Sequence, residues 1–299
     1  MTTTTTSNWR KLSPAFYAFL IAIAALWAIP RNACAQLYVS QLDKTIGIVS
    51  KYDTTGKLIK ANFITGLNFP GGLALSGDTL FVVDHGNNLV GKYAAATGGA
   101  INPGFITGLN FPTGLAVTGD TLFVANELPG TVGAYNVTTG APINASFISG
   151  LTEPFGLAVK DNTLFVANYG NGTVGAYNAT TGAPINASFI SGLTEPFGLA
   201  IKGNALFVAD YGNGTVGKYD ATTGAAISTS FIRGLTGTIA LVLFRGETSS
   251  RDTLFVASES NIAQEYKVGK YAPTTGNVIK ANFITGLTIV GGIAVKSAK

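Results

Sequence analysis

The sequence predicts an all-β fold: a six-bladed β-propeller with four antiparallel strands per blade, the ring closed by the C-terminal strand joining the N-terminal blade. Three observations predict it. A unit of about 42 residues recurs six times. Each unit holds four short apolar segments separated by turn residues. The chain enters the repeat at its second segment and leaves it after its first.

The repeat is fixed by four markers, each present six times. The Phe of F-I-T/S/R-G-L falls at Phe63, Phe105, Phe147, Phe189, Phe231 and Phe283, with four intervals of 42 residues and a last one of 52. The aromatic of L-F/Y-V falls at Tyr38, Phe81, Phe123, Phe165, Phe207 and Phe255. The Tyr closing GxY or KY falls at Tyr52, Tyr93, Tyr135, Tyr177, Tyr219 and Tyr271. GLAV and its variants lie near Leu73, Leu115, Leu157, Leu199, Leu241 and Ile293.

Each segment of the unit reads as a strand. Strand a is GLAV, strand b is TLFVAN, strand c is GTVGAY and strand d is INASFISGL. Strand b is apolar at consecutive positions, the pattern of a strand buried on both faces. The c–d connector, ATTG or DTTG, supplies Gly for a positive φ, and Asx residues suit the a–b and b–c turns. Pro70, Pro112, Pro154 and Pro196 are expected between strand d and the next strand a, where no ladder hydrogen bond is lost. The chain begins its repeats with QLYVSQ, a strand b, and ends with GGIAVKSAK, a strand a. Joined, they complete one blade and leave no open end to cap. Residues 36–299 therefore form the propeller: blade 1 from 37–67 plus 289–299, and blades 2–6 at about 72–109, 114–151, 156–193, 198–235 and 240–287. The last blade carries ten extra residues, six in its a–b connector and four in its b–c connector.

The stretches PGGLALSGDTLFVVDHGNNLVGKY, PFGLAVKDNTLFVANYGNGTVGAY and PFGLAIKGNALFVADYGNGTVGKY resemble the NHL-repeat family of propellers. The resemblance covers nearly all of the chain after residue 35, and its motif is mostly structural. It implies a propeller that serves as a binding module and, in some members, as an enzyme. More remotely the fold is similar to the gluconolactonase-like propellers, which hold a divalent metal in the central channel. The acidic motif of that family is not found in its usual context here.

Residues 1–35 read as a secretory signal peptide. Arg10 and Lys11 precede an apolar run from Ala15 to Ile29, and Ala33 and Ala35 are the small residues of a cleavage site after Ala35. The run is too short to cross a bilayer comfortably, so no membrane span is expected after cleavage. The expected location is secreted or periplasmic. Cys34, the one cysteine, leaves with the leader, so stability must come from packing without disulfides. Sixteen basic residues then face fifteen acidic ones, and no cluster of Lys and Arg interleaves with aromatics. Nucleic acid is excluded as a partner on that ground.

Strand order puts the d–a and b–c connectors on one rim, where propeller sites open. The candidate ligand-binding residues there are Asp84, His85, Asn126, Glu153, Asn168, Glu195 and Asp210. Asp84, Asn126, Asn168 and Asp210 share one repeat position. They read either as oxygen ligands for a hard cation such as Ca2+ or as Asx residues capping their own b–c loop. Recurrence favours the cap, because a turn needs the same residue in every blade. Glu153 and Glu195, each just before Pro, read either as a pair sharing a metal or as solvated rim charges. His85 is the only histidine, so a multi-histidine metal site is excluded. The leading reading is a monomeric, non-catalytic scaffold for a protein, a glycan or a small molecule. The alternative is a metal-dependent lactonase-like or lyase-like enzyme with its site in the central channel.

Overall fold

A computed structural model describes residues 35–43, 45–246, 248, 251–260 and 265–297. The expected signal peptide lies outside these residues, apart from Ala35. The two insertions of the last blade lie partly outside them. Among the described residues, 24 strands form six four-stranded antiparallel sheets.

Sheet 1 is β1 (Gln36–Asp43), β2 (Ile46–Asp53), β3 (Leu58–Leu67) and β24 (Val290–Lys296), in the order β24-β1-β2-β3. Sheet 2 is β4 (Pro70–Ser76), β5 (Thr79–Asp84), β6 (Leu89–Ala94) and β7 (Ala100–Ile106). Sheet 3 is β8 (Pro112–Thr118), β9 (Thr121–Asn126), β10 (Thr131–Asn136) and β11 (Pro142–Ile148). Sheet 4 is β12 (Pro154–Lys160), β13 (Thr163–Asn168), β14 (Thr173–Asn178) and β15 (Pro184–Ile190). Sheet 5 is β16 (Pro196–Lys202), β17 (Ala205–Asp210), β18 (Thr215–Asp220) and β19 (Ala226–Ile232). Sheet 6 is β20 (Thr236–Phe244), β21 (Thr253–Glu259), β22 (Tyr266–Tyr271) and β23 (Val278–Leu287).

The ring closes as the repeat phase requires. β24 pairs with β1, with Tyr38 opposite Ala294 and Val39 opposite Ile293. The four predicted prolines do not sit in connectors. Each is the first residue of its inner strand, opposite Asp84, Asn126, Asn168 or Asp210. A strand's first residue is a place where the missing N–H costs the ladder little.

The core lies between blades, as strand b foretells. Leu80, Phe81 and Val82 of β5 are fully buried, and so are their counterparts in every other blade. Each b-strand aromatic packs at a tilt on its own blade's d-strand Phe, with centroids 5.4 Å apart for Phe81–Phe105 and 5.6 Å for Tyr38–Phe63. Tyr38 is the one phenol at that position, and its hydroxyl donates to the Ala95 carbonyl of the next blade at 2.7 Å.

The GxY phrase has a steric cause. A Cβ at Gly175 would stand 2.5 Å from the Tyr177 ring, because the ring lies over that glycine. Blade 1 has Ser50 there, and Ser50 Oγ accepts from Gln41 Nε2 at 3.4 Å. The c–d turns of blades 1, 3, 4 and 5 are Asx turns: Asn178 Oδ1, for example, accepts from the Thr180 and Thr181 N–H groups, and Asp220 Oδ1 from those of Thr222 and Thr223.

A second inter-blade device is carried by lysines in strand c. Lys51, Lys92, Lys218 and Lys270 stand opposite the b-strand aromatic. Each Nζ lies 4.6–4.8 Å from a d-strand ring of its own blade. Each donates to a carbonyl in the c–d turn of the following blade. The acceptors at 3.0 Å are Ala96 for Lys51, Thr138 for Lys92 and Thr54 for Lys270, while Lys218 reaches Thr274 at 3.5 Å. Lys270 thereby ties blade 6 to blade 1 across the closure.

Candidate functional site

Around the axis the six inner strands approach backbone to backbone. A Cβ on Gly114 would lie 2.0 Å from the Phe155 carbonyl oxygen, and one on Gly156 equally close to that of Phe197. Below this collar, Leu73, Leu115, Leu157, Leu199, Leu241 and Ile293 line an axial cavity of about 90 Å³. The channel lining is thus apolar side chains and glycine backbone, with Thr113 as its one polar side chain among the described residues. Among the described residues no group of three or more His, Cys, Asp or Glu side chains is placed to hold a metal ion.

At Asp84 and Asp210 the recurrent Asp/Asn position reaches a second connector as well as its own loop. Asp84 Oδ1 accepts the backbone N–H of Asn68 at 2.9 Å, and Asp210 Oδ1 that of Thr194 at 3.0 Å. The second oxygens accept the side-chain amides of Asn87 and Asn213. These buried carboxylates bind the d–a connector to the b–c connector, and each already has partners on both oxygens. Asn126 and Asn168 are equally buried, but their Oδ1 atoms have no protein partner.

The side chains that face the mouth of the ring come from the next position along. That column reads Leu42, His85, Glu127, Tyr169, Tyr211 and Glu259 from blade 1 to blade 6. Of these, only His85 is among the candidate ligand-binding residues above, although strand order alone assigns Glu127, Tyr169, Tyr211 and Glu259 to the same rim. The signal for the rest was present: neighbouring blades are nearly identical, yet this column changes its chemistry from blade to blade. Two columns of the d–a connector vary in the same way. One reads Phe69, Phe111, Glu153, Glu195, Gly237 and Ile289; the other runs through Thr113, Phe155, Phe197 and Ile239.

Together these columns form a bowl. Its floor is aromatic and aliphatic: Phe155 and Phe197 lie 4.4 Å apart, with Phe69, Leu42, Ile289 and Val290 beside them around a cavity of about 170 Å³. Tyr169 and Tyr211 flank Phe197 with centroids at 5.9 and 6.1 Å. His85 packs edge-on against Phe111 at 5.1 Å, and its Nδ1 lies 2.9 Å from the Pro112 carbonyl oxygen. A carbonyl only accepts, so Nδ1 carries a proton there.

The wall of the bowl is acidic and phenolic. Tyr211 donates to Glu259 Oε1 at 3.0 Å and Tyr266 donates to the same oxygen at 3.3 Å, while Tyr169 stands within the field of Glu195. Burial, the bond to Glu259 and its negative charge push the Tyr211 phenol up to about 12. Burial also raises Tyr169, with the charges of Glu195, Glu153 and Glu127 adding to it. Glu127 is raised by burial and by Glu153, while His85 pulls it down. At neutral pH the phenols therefore stay protonated donors held by carboxylates. Glu153 and Glu195 are accordingly separated in role. The half-buried Glu195 acts on Tyr169 through its charge, and the exposed Glu153 carboxylate lies beside Gly170.

The d–a connector is held in an unusual conformation. Phe69, Phe111, Glu153 and Glu195 have φ of 49°, 50°, 50° and 59°, in the left-handed region. Blade 6 places Gly237 at the same point with φ 49°. Glycine meets this geometry without strain, whereas the other four side chains are kept at a cost of about 1–2 kcal/mol each. Phe69 and Phe111 are also 54% and 40% exposed.

No protein-family model matches the chain, and no curated protein matches it. Solved structures do. The chain is similar to one in a crystal structure of a nidogen/laminin complex, with a TM-score of 0.66 and 15% identity over 89% of this chain and 99% of that one. It is also similar to the computationally designed Ika8 protein, with a TM-score of 0.52 and 15% identity over 87% of this chain and 80% of that one. At this identity the likeness bears on the fold alone, and it agrees with the propeller built by the six sheets.

Proposed function

We propose that this chain is an exported, NHL-like propeller without catalytic activity, whose bowl binds a protein partner. The partner's surface presents an apolar group flanked by a basic side chain. One observation carries the reading: exposed Phe69 and Phe111 are retained in a strained backbone conformation where the repeat itself tolerates glycine. Strain held at an exposed rim is what a binding surface leaves behind. The aromatic floor supplies desolvation energy, and Tyr rings are favoured anchors at interfaces. Glu127, Glu153, Glu195 and Glu259 outnumber the single cation-forming His85 around the mouth, which selects for positive charge in the ligand. The nidogen/laminin structure, similar in fold, is a complex of proteins. Export is supported by the leader-like residues 1–35.

The test is peptide-display selection on immobilised protein, run in parallel on the wild type and on a Phe155→Ser/Phe197→Ser variant whose far-UV circular dichroism matches it. Selected peptides should combine an aromatic or large aliphatic residue with Lys or Arg. They should lose binding to the variant and weaken as salt rises. Enrichment of acidic or purely polar peptides, or equal binding to the variant, refutes the reading. The export claim is checked separately by the N-terminal residue of protein recovered outside the cytoplasm, expected to be Gln36.

A further inference from the structure

On the face opposite the bowl, the strand-c lysines leave a gap. Four blade junctions are bridged by a lysine ammonium, but blades 3 and 4 carry Ala134 and Ala176 at that position. Everything else that receives the ammonium is still in place at the junction of blades 3 and 4. Ala134 stands opposite Phe123, as Lys92 stands opposite Phe81. The Phe123–Phe147 pair has the same spacing and tilt, 5.4 Å and 43°, as Phe255–Phe283 under Lys270. The receiving c–d turn is anchored identically: Ala179 N–H bonds the Asn162 carbonyl, as Val137 N–H bonds that of Asp120. Lys92 uses the carbonyls of Val137 and Thr138; their counterparts are Ala179 and Thr180. Among the described residues no donor reaches these two carbonyls.

The space is open. A cleft of about 310 Å³ is lined by Ala134, Phe147, Ala179 and Thr180 together with Asp161 and Asn162. Under Lys51, Lys92 and Lys270, the d-strand rings Phe63, Phe105 and Phe283 are buried at 5–7% exposure. Phe147 is partly exposed, as is Phe231, over which Lys218 makes the longest of the four carbonyl contacts. Asp161 adds a carboxylate at the cleft. It pairs with Lys160 of its own turn at 2.8 Å and is 83% exposed, so it can turn to a second cation. Blades 2, 3 and 5 have glycine at that turn position.

We propose that the cleft between blades 3 and 4 is a receptor for a primary alkylammonium group, either the end of a lysine side chain or a small aliphatic amine. The ammonium would sit over the Phe147 ring and donate to the Ala179 and Thr180 carbonyls, with Asp161 neutralising its charge. The repeat itself provides the evidence of fit. The equivalent ring and the equivalent turn carbonyl hold a covalently supplied ammonium at four other junctions. This site is independent of the bowl and shares no residue with it.

The experiment is a chemical-shift titration of the folded protein, following the amides of Asn162, Ala179 and Thr180. The ligands are n-butylammonium and its neutral counterpart n-butanol, then lysine and norleucine capped at both ends. The expected result is saturable shifts with n-butylammonium and none with n-butanol. If capped lysine also shifts these amides and capped norleucine does not, a lysine side chain is a ligand; if only the free amine acts, small amines are. The variant Ala134→Lys supplies its own ammonium and restores a residue that four blades already carry. It should move the same amides toward the ligand-saturated position and abolish the response to added amine. Equal responses to amine and alcohol, no saturable response to either amine, or an undiminished response in Ala134→Lys each overturns the proposal.

Discussion

The axial collar makes a graded prediction. Gly72, Gly114, Gly156 and Gly198 occupy one repeat position, and none has a left-handed φ, so alanine is not barred by conformation. What bars it is the neighbouring blade. An added Cβ would stand 2.0 Å from a backbone carbonyl oxygen at Gly114 and at Gly156, 2.7 Å at Gly72 and 2.8 Å at Gly198, where ordinary contact begins at 3.4 Å. Blades would have to part by about 1.4 Å in the first pair and about 0.6–0.7 Å in the second. Overpacking a well-filled interior costs about 1–3 kcal/mol, and more when only backbone can yield. Losing glycine's freedom in the unfolded chain returns about 0.4–1 kcal/mol. Gly114→Ala and Gly156→Ala should therefore destabilise by about 3 kcal/mol or more, and Gly198→Ala by about 1 kcal/mol. Blade 6 carries Ala240 at this position, so a methyl group there is compatible with the ring where the approach allows it. Urea unfolding followed by circular dichroism gives the comparison, provided the denaturant slope is unchanged. If Gly114→Ala and Gly198→Ala lose the same stability, or the order is reversed, close approach around the axis is not what selects glycine.

Three further outcomes follow from other parts of the structure. Burial raises the phenols of Tyr38, to about 12, and of Tyr52, Tyr93, Tyr135, Tyr177, Tyr219 and Tyr271. The folded state holds these protons more tightly than the unfolded chain, whose phenols titrate near 10. Their contribution is intact below pH 10 and is lost as pH rises through 10 toward 12. Tyr38 alone accounts for a loss on the order of 2–3 kcal/mol. The lowered lysines Lys51, Lys218 and Lys270 act in the opposite direction just below their ordinary value, but they are fewer. Urea midpoints should fall steeply above pH 10, and tyrosinate absorbance should appear with unfolding; phenols that ionise near 10 in a folded chain would contradict this. Asp210→Ala removes the acceptor for the Thr194 N–H and should cost about 2 kcal/mol by urea titration. A loss below about 0.5 kcal/mol would remove the connector latch from the account of the rim. Phe69→Gly relieves a left-handed non-glycine residue, so its melting curve should stay within about 1 kcal/mol of wild type while peptide binding to the bowl weakens. A folded variant with unchanged binding would separate Phe69 from the site.

The architecture was legible because the sequence states it six times. Strand b, apolar at consecutive positions, becomes the doubly covered strand, and the phase mismatch of QLYVSQ and GGIAVKSAK becomes the β1–β24 pairing. The site was only partly legible. Repetition drew attention to Asp84, Asn126, Asn168 and Asp210, which are structural latches in blades 2 and 5. Their carboxylates reach across to another connector, a contact that spacing within one loop does not reveal. The following column alternates to the other face of the strand and opens on the mouth, yet it looks irregular because it is specialised blade by blade. The lysine bridges were hidden for a related reason. GKY and GAY read as the same strand c, and only the packed blades show that one side chain spans a junction.

Pairing β1 with β24 joins Val39 to Ile293 across almost the whole length of the ring. Contacts of such sequence separation are slow to find. During synthesis the segment Leu37–Ser40, fully buried in the finished molecule, must wait as a bare apolar edge until the last strand leaves the ribosome. A chain stopped short of Val290 keeps that edge open, and its natural fate is to pair with another molecule rather than with itself.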